Sequence, residues 1–435
     1  MRSSLFLLAT SLAACSTSVV PSPSAEGTPD ASTHAPSCSA ETKTWSEPAD
    51  VSNGTVVELA WAGQRLGIAY RSVGSDLVVQ EQREGEEPSQ VRLVHLAPVD
   101  GRQLAMASTL THFGVAFTSG AGPARVELRS VDAEAGTASS NGTASSAVDR
   151  SGGGAPSTSS PVAFGLGDRF FAGWDDRRYA EPRSGGGNLF GWEGFYGNLT
   201  QVGQRFPADD FQVVQSTGSS LAQVERAAAG VVVGDRMAIA WLGNSPKGSG
   251  LFLRIGPFDA WRPEYTGVVS LSPIAETRRA FGVRAAVLGG DVVVAYVDGA
   301  RSPADGDFVR LVRVTLGGKM VGVPTAATVP AGHHVLGMDL QADGDRLVLA
   351  YVSSSDAAAN VNVAQVDSAL GLSPLGDQDL SATSGTSFSG AALRVSAGMV
   401  QVATVGQVER QPGAPDSTAV ATRVSVSRIC LGGGR

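Results

Sequence analysis

A three-residue pattern, an apolar side chain followed by Ala or Gly and then an aromatic ring, recurs along most of this chain and constrains its fold more than any other feature. The copies are Ile68-Ala69-Tyr70, Val115-Ala116-Phe117, Ala172-Gly173-Trp174, Ile239-Ala240-Trp241, Val294-Ala295-Tyr296 and Leu349-Ala350-Tyr351, with a seventh, Val402-Ala403-Thr404, that lacks the ring. The third positions are separated by 47, 57, 67, 55, 55 and 53 residues. A unit of about 50 residues that cannot bury its apolar faces alone must stack on its neighbours, so the repeat points to a solenoid or a ring.

The surroundings of each copy choose between them. A glycine stands seven residues before the aromatic at Gly63, Gly167, Gly234, Gly289 and Gly344, and Asp168, Asp235 and Asp345 follow three of these. Gly-Asp between apolar runs marks a tight hairpin, because glycine reaches positive φ at little cost and Asp tolerates turn geometry. In the fifth unit, strands are expected at 283–288, 292–297 and 308–314, with a fourth near 321–329. The first strands are rich in small residues (Ala105, Ala107, Ala227, Ala228, Ala229, Ala285, Ala286, Ala391 and Ala392), as strands converging on a crowded axis need to be. With 54 glycines in 435 residues and no long helical periodicity, the chain reads as all-β. The predicted fold is a seven-bladed β-propeller of four-stranded antiparallel blades, with the ring closed by the N- and C-terminal segments. The alternative is a pair of β-sandwiches divided in the Ala/Gly/Ser/Thr-rich stretch 133–160, which the continuing period favours reading as a surface loop.

The N-terminus carries a separate signal. Arg2, an apolar run over residues 5–14 and Leu12-Ala13-Ala14-Cys15 resemble the signal peptide and lipobox of bacterial lipoproteins. An apolar run of about ten residues is half the roughly 20 needed to span a bilayer, so 1–14 is expected to be cleaved. The resemblance implies lipidation at Cys15, a membrane anchor without a span, and, because Ser16 follows it, sorting to the outer membrane of the cell envelope. Residues 15–37 have the Ser/Pro/Thr composition of a tether that cannot bury enough surface to order itself, and 38–435 form the propeller domain. In an exported protein Cys38 and Cys430 are expected to form a disulfide joining the two ends of the ring. The net charge of −8 excludes a nucleic-acid partner, which needs a basic face.

Trp174-Asp175-Asp176-Arg177-Arg178 and Phe195-Tyr196-Gly197-Asn198 resemble the repeat of sialidase-like secreted propellers, in the third unit only. That resemblance implies fold and no particular activity.

The sequence shows no catalytic constellation, metal site or cofactor site. Gly385-Thr386-Ser387-Phe388-Ser389-Gly390 resembles a protease nucleophile stretch but has no His or Asp partner motif, and it reads as the loop before the seventh blade. His333 and His334 are adjacent and would point to opposite faces of a strand. Asp298 and Asp305-Gly306-Asp307 read as a polar turn, and Glu81, Glu84, Glu86 and Glu87 as a solvated hairpin tip. The most distinctive stretch is 164–196, which holds nine of the 27 aromatic residues. Within it Asp175, Asp176, Arg177, Arg178, Tyr179, Trp192 and Tyr196 are the candidate ligand-binding residues, since exposed rings beside Arg and Asp suit sugars or a protein hot spot. Two functions follow: a membrane-anchored binding or scaffold propeller whose partner is an envelope protein, or a glycan-binding or glycan-hydrolysing one. Hydrolysis would need two carboxyls flanking the scissile bond, for which Asp175, Asp176 and Glu193 are available.

Overall fold

The computed structural model describes residues 40–431 apart from 54, 96–98, 120–124, 146–160, 182–189, 208–210, 216–223, 246–247, 258–267, 271–280, 300–304, 356–358, 381–385, 397, 409–414 and 416–417. All of these belong to the unit Cys38–Arg435. After β1 (Glu41–Ser46) come six blades of consecutive strands. Blade 1 is β2 (Glu58–Ala62), β3 (Arg65–Arg71), β4 (Leu77–Arg83) and β5 (Ser89–Val94). Blade 2 is β6 (Val99–Ser108), β7 (His112–Ser119), β8 (Arg125–Asp132) and β9 (Thr137–Thr143). Blade 3 is β10 (Val162–Leu166), β11 (Arg169–Glu181), β12 (Phe190–Gln201) and β13 (Phe211–Gln215). Blade 4 is β14 (Val224–Val233), β15 (Arg236–Ser245), β16 (Gly248–Pro257) and β17 (Val268–Ser270). Blade 5 is β18 (Phe281–Leu288), β19 (Asp291–Asp298), β20 (Phe308–Val314) and β21 (Met320–Thr328). Blade 6 is β22 (His334–Asp343), β23 (Arg346–Ser354), β24 (Ala359–Val366) and β25 (Leu372–Asp379). Blade 7 takes β26 (Thr386–Ser396), β27 (Met399–Val408) and β28 (Thr422–Cys430) from the C-terminal end and its outer strand, β1, from the N-terminal end. The chain is therefore a seven-bladed, all-antiparallel propeller with mixed closure.

The recurring triplet lies on the second strand of every blade. Its apolar clusters explain why the pattern is needed: each of the seven joins the facing sides of two adjacent blades. Tyr70, Phe117, Trp174, Trp241, Tyr296 and Tyr351 are all buried against the preceding blade. The middle residue points the other way, as alternation along a strand requires. Ala240 and Ala295, for example, pack toward the following blades. A large ring on one sheet therefore meets a small residue on the next, which lets wedge-shaped gaps close at core density. Glycine takes the small role where even a methyl group is too large: a Cβ on Gly114 of blade 2 would lie 2.8 Å from the Phe170 ring of blade 3.

The inner hairpins form as their glycines predict, with φ of +55° at Gly63, +64° at Gly167, +62° at Gly234 and +63° at Gly344. In blade 5 both turn residues, Gly289 and Gly290, have positive φ, as a type I′ turn requires.

Three local readings are corrected, and the polar turn at Asp305-Gly306-Asp307, which lies between β19 and β20 as read, gains a structural role. Part of the stretch taken for a surface loop, Thr137–Thr143, is the outer strand of blade 2. An outer strand has one covered side at most, so it needs no apolar alternation, and its small residues gave no strand signal. Glu81 belongs to β4 and is 4% exposed. It accepts a hydrogen bond from Ser89 Oγ at 3.1 Å, and burial raises its carboxyl pKa. Thr386 to Gly390 begin β26 and are not a loop. Asp307 is buried, and its carboxylate accepts the Val335 amide at 2.8 Å, tying the loop of blade 5 to the first strand of blade 6.

Candidate functional site

The first strands of all seven blades surround a central cavity of about 590 Å³. Antiparallel register fixes one level of its wall. Opposite the middle residue of each triplet stand Glu58 (to Ala69), Ala105 (to Ala116), Val162 (to Gly173), Ala229 (to Ala240), Arg284 (to Ala295), Asp339 (to Ala350) and Ala392 (to Ala403). All seven line the cavity. They form a ring of equivalent positions, one per blade, whose chemistry is lopsided. Blades 2, 3 and 4 contribute only apolar side chains to it. Blades 5, 6 and 1 contribute Arg284, Asp339 and Glu58, and the small Ala392 of blade 7 stands between the two acids.

The charged side of this ring is electrostatically strained. Arg284 Nε lies 3.4 Å from Asp339 Oδ1. The Asp339 carboxylate also accepts the amide of Leu393 at 2.8 Å and that of Leu340 at 2.9 Å. Burial nevertheless raises the Asp339 pKa, and these partners only oppose the rise. Glu58 has the more exceptional setting. Its carboxyl is pushed up to about 7 by burial, with Arg284 pulling it down, and it makes no hydrogen bond to a described residue. Carboxyls with shifted proton affinity that converge with a cation in a cavity make this ring a candidate binding or reacting site. Among the described residues no group of three or more potential ligands could hold a metal ion.

Nearby backbone is shaped for close approach. The first strands of blades 5, 6 and 7 bulge at Gly282, Leu336 and Gly390, all of which line the cavity. Gly282 and Gly390 have φ of +68° and +70°, open to glycine at little cost.

The residues singled out from sequence are placed as follows. Asp175, Asp176, Arg177, Arg178, Tyr179, Trp192 and Tyr196 lie on the β11–β12 hairpin, whose register puts Trp174 opposite Tyr196, Asp175 opposite Phe195 and Tyr179 opposite Trp192. Their side chains lie outside the described residues. β10 begins at Val162, opposite Gly173, so the hairpin continues past the inner strand as far as the Glu181–Phe190 pair. Cys15 and Cys38 lie outside the described residues, and Cys430 ends β28. Glu58, Arg284 and Asp339 were not singled out. The signal for them was present: each stands eleven residues before the middle of its triplet, at an offset shared by all seven blades.

No family model matches this sequence, and no curated protein matches it. Among solved structures, a polysaccharide lyase of family PL25, an ulvan lyase bound to -[GlcA(1-4)Rha3S]-, superposes with a TM-score of 0.51 at 9% identity, over 89% of this chain and 96% of the lyase. The BP39L lectin from Burkholderia pseudomallei superposes with a TM-score of 0.50 at 11% identity, over 89% of this chain and 98% of the lectin. At such identities the likeness shows the fold alone.

Proposed function

We propose that this protein is a lipid-anchored, extracytoplasmic binding propeller of the bacterial cell envelope that seats its ligand in the axial cavity. The observation that carries the reading is the lopsided ring: four small apolar positions against Glu58, Arg284 and Asp339, around about 590 Å³. A ring evolved only for packing gains nothing from a half-buried carboxyl that makes no hydrogen bond to a described residue, because taking a charge partly out of water costs free energy that an alanine would not. The anchor rests on the lipobox-like Leu12-Ala13-Ala14-Cys15. Outer-membrane placement rests on Ser16 following that cysteine.

Two experiments test this. Membrane fractionation of cells expressing the full chain is expected to find it in the outer membrane, and Cys15→Ala is expected to release it. Thermal unfolding against a panel of envelope glycans, peptidoglycan fragments and peptides is expected to give an upward shift that Ala105→Phe, which fills the cavity, abolishes. A ligand at 100 times its dissociation constant adds about 2.7 kcal/mol.

A second reading, a glycan-binding or glycan-hydrolysing propeller with its site on the β11–β12 hairpin, is favoured by that hairpin's length and by Tyr179 standing opposite Trp192. It predicts a shift insensitive to Ala105→Phe and lost in Trp192→Ala. New reducing ends released during the same incubation would make the protein a hydrolase.

A further inference from the structure

We propose that the axial ring is an amine seat, in which Glu58 takes the ammonium group of a ligand whose apolar body lies against blades 2 to 4. The inference rests on the cavity reading above and adds to it a ligand class.

Charge count comes first. The ring carries two carboxyls and one guanidinium, and the register places them in consecutive positions around the axis apart from Ala392. Arg284 is committed to Asp339, so one negative charge is unmatched when Glu58 is ionised. Glu58 has only acceptor capacity in that state and no hydrogen-bond donor among the described residues. An incoming cation supplies both the missing charge and the missing donors. Between Asp339 and Glu58 the ring carries only the methyl group of Ala392.

The rest of the wall decides what carries the cation. Leu104, Ala105 and Met106 of blade 2, Val162 and Phe164 of blade 3, and Ala229 of blade 4 face the cavity without a charged group among them. On the blade 7 side, residues 390–393 bring no titratable side chain to the cavity. The nearest cation there, Arg394, is 5.6 Å from the centre of the Trp61 ring and bonds Gln401 at 3.0 Å. Among the described residues, Arg284 and Asp339 are thus the charged groups that share the cavity with Glu58. Trp61, on the same strand as Glu58, donates its indole N–H to the Ala392 carbonyl at 3.1 Å, which fixes that side of the wall. A polyanion or a fully polar sugar would leave this apolar half unused.

The test uses the full chain in detergent and three isosteric probes: 4-phenylbutylamine, 4-phenylbutanol and 4-phenylbutanoate, measured by calorimetry. The amine is expected to bind at least tenfold more tightly than the alcohol at pH 8.5, and the carboxylate not at all. With the Glu58 carboxyl titrating near 7, amine affinity is expected to rise about thirty-fold from pH 5.5 to 8.5, because the amine itself stays protonated throughout. Glu58→Gln, nearly the same shape, is expected to remove both the preference and the pH dependence. Equal binding of amine and alcohol, or an amine affinity unchanged in Glu58→Gln, overturns the inference. If the amine fails while an envelope ligand still gives a shift sensitive to Ala105→Phe, the ligand class is wrong and the cavity reading stands. If no compound gives a shift sensitive to Ala105→Phe, both are wrong.

Discussion

Replacing Thr404 by Val is expected to stabilise this protein, the opposite of what most core substitutions do. Thr404 occupies the position where the other six blades carry a ring, and its side chain is fully buried. It shares a face of β27 with Val400 and Val402, which pack in the cluster between blades 6 and 7. Its hydroxyl has no hydrogen-bond partner among the described residues. A buried, unpaired hydroxyl costs about 1–3 kcal/mol, and valine keeps the branched shape while removing it. A gain of about 1–2 kcal/mol is the expected result. Unfolding entropy of about 2.1 cal/mol/K per residue over about 390 residues gives about 0.8 kcal/mol/K, so the melting temperature should rise by about 1–2 °C. Scanning calorimetry of the full chain resolves this, with Thr404→Ser as the control that keeps the hydroxyl and loses the methyl group. A fall in melting temperature for Thr404→Val with no change for Thr404→Ser would refute the reasoning, because it would mean the hydroxyl has a partner that matters.

Trp241→Ala should cost about 3–5 kcal/mol, since this buried ring stacks on Phe252 at 5.8 Å and reaches Phe195 at 6.1 Å across the interface of blades 3 and 4; calorimetry should show a fall of about 4–6 °C. Gly114→Ala should lower stability by about 1–3 kcal/mol, as the added methyl group meets the Phe170 ring, and denaturant titration of both proteins checks it. Glu58 is a carboxyl with a raised pKa in the folded protein, so its contribution is most favourable below pH 4.5 and is lost as pH rises toward 7. Melting temperature is therefore expected to fall between pH 5 and 8, and Glu58→Gln to flatten that fall. Cys38 and Cys430 of an exported chain are expected to be bonded, so peptide mapping without reductant should recover the two in one disulfide-linked fragment.

The propeller was legible because its repeat is a packing rule. Six of the seven blades set a ring toward one neighbour and a small residue toward the other, and five inner hairpins carry a glycine seven residues before the ring. The mixed closure followed from the same logic, since the seventh unit had only three strands of its own and the segment after Cys38 had nothing else to pair with. Charged residues were harder to place. Glu81 lies two residues from the end of β4, so a run of four glutamates that reads as a solvated tip in fact straddles the boundary between sheet and turn. The axial ring was missed for a different reason. Glu58, Arg284 and Asp339 are far apart in the chain and ordinary in their local context, and only cross-strand register aligns them on one level. By contrast, the aromatic cluster of 164–196 drew attention by composition, although Phe164, Phe170, Phe171, Trp174 and Phe195 are spent on blade contacts.

The account rests most heavily on the claim that the ligand sits at the axis, and thermal unfolding of three proteins against one envelope panel tests it directly. The wild type is expected to gain several degrees with at least one component, Ala105→Phe to lose that gain, and Trp192→Ala to keep it. The reverse, a gain kept by Ala105→Phe and lost by Trp192→Ala, would contradict the claim and move the site to the β11–β12 hairpin.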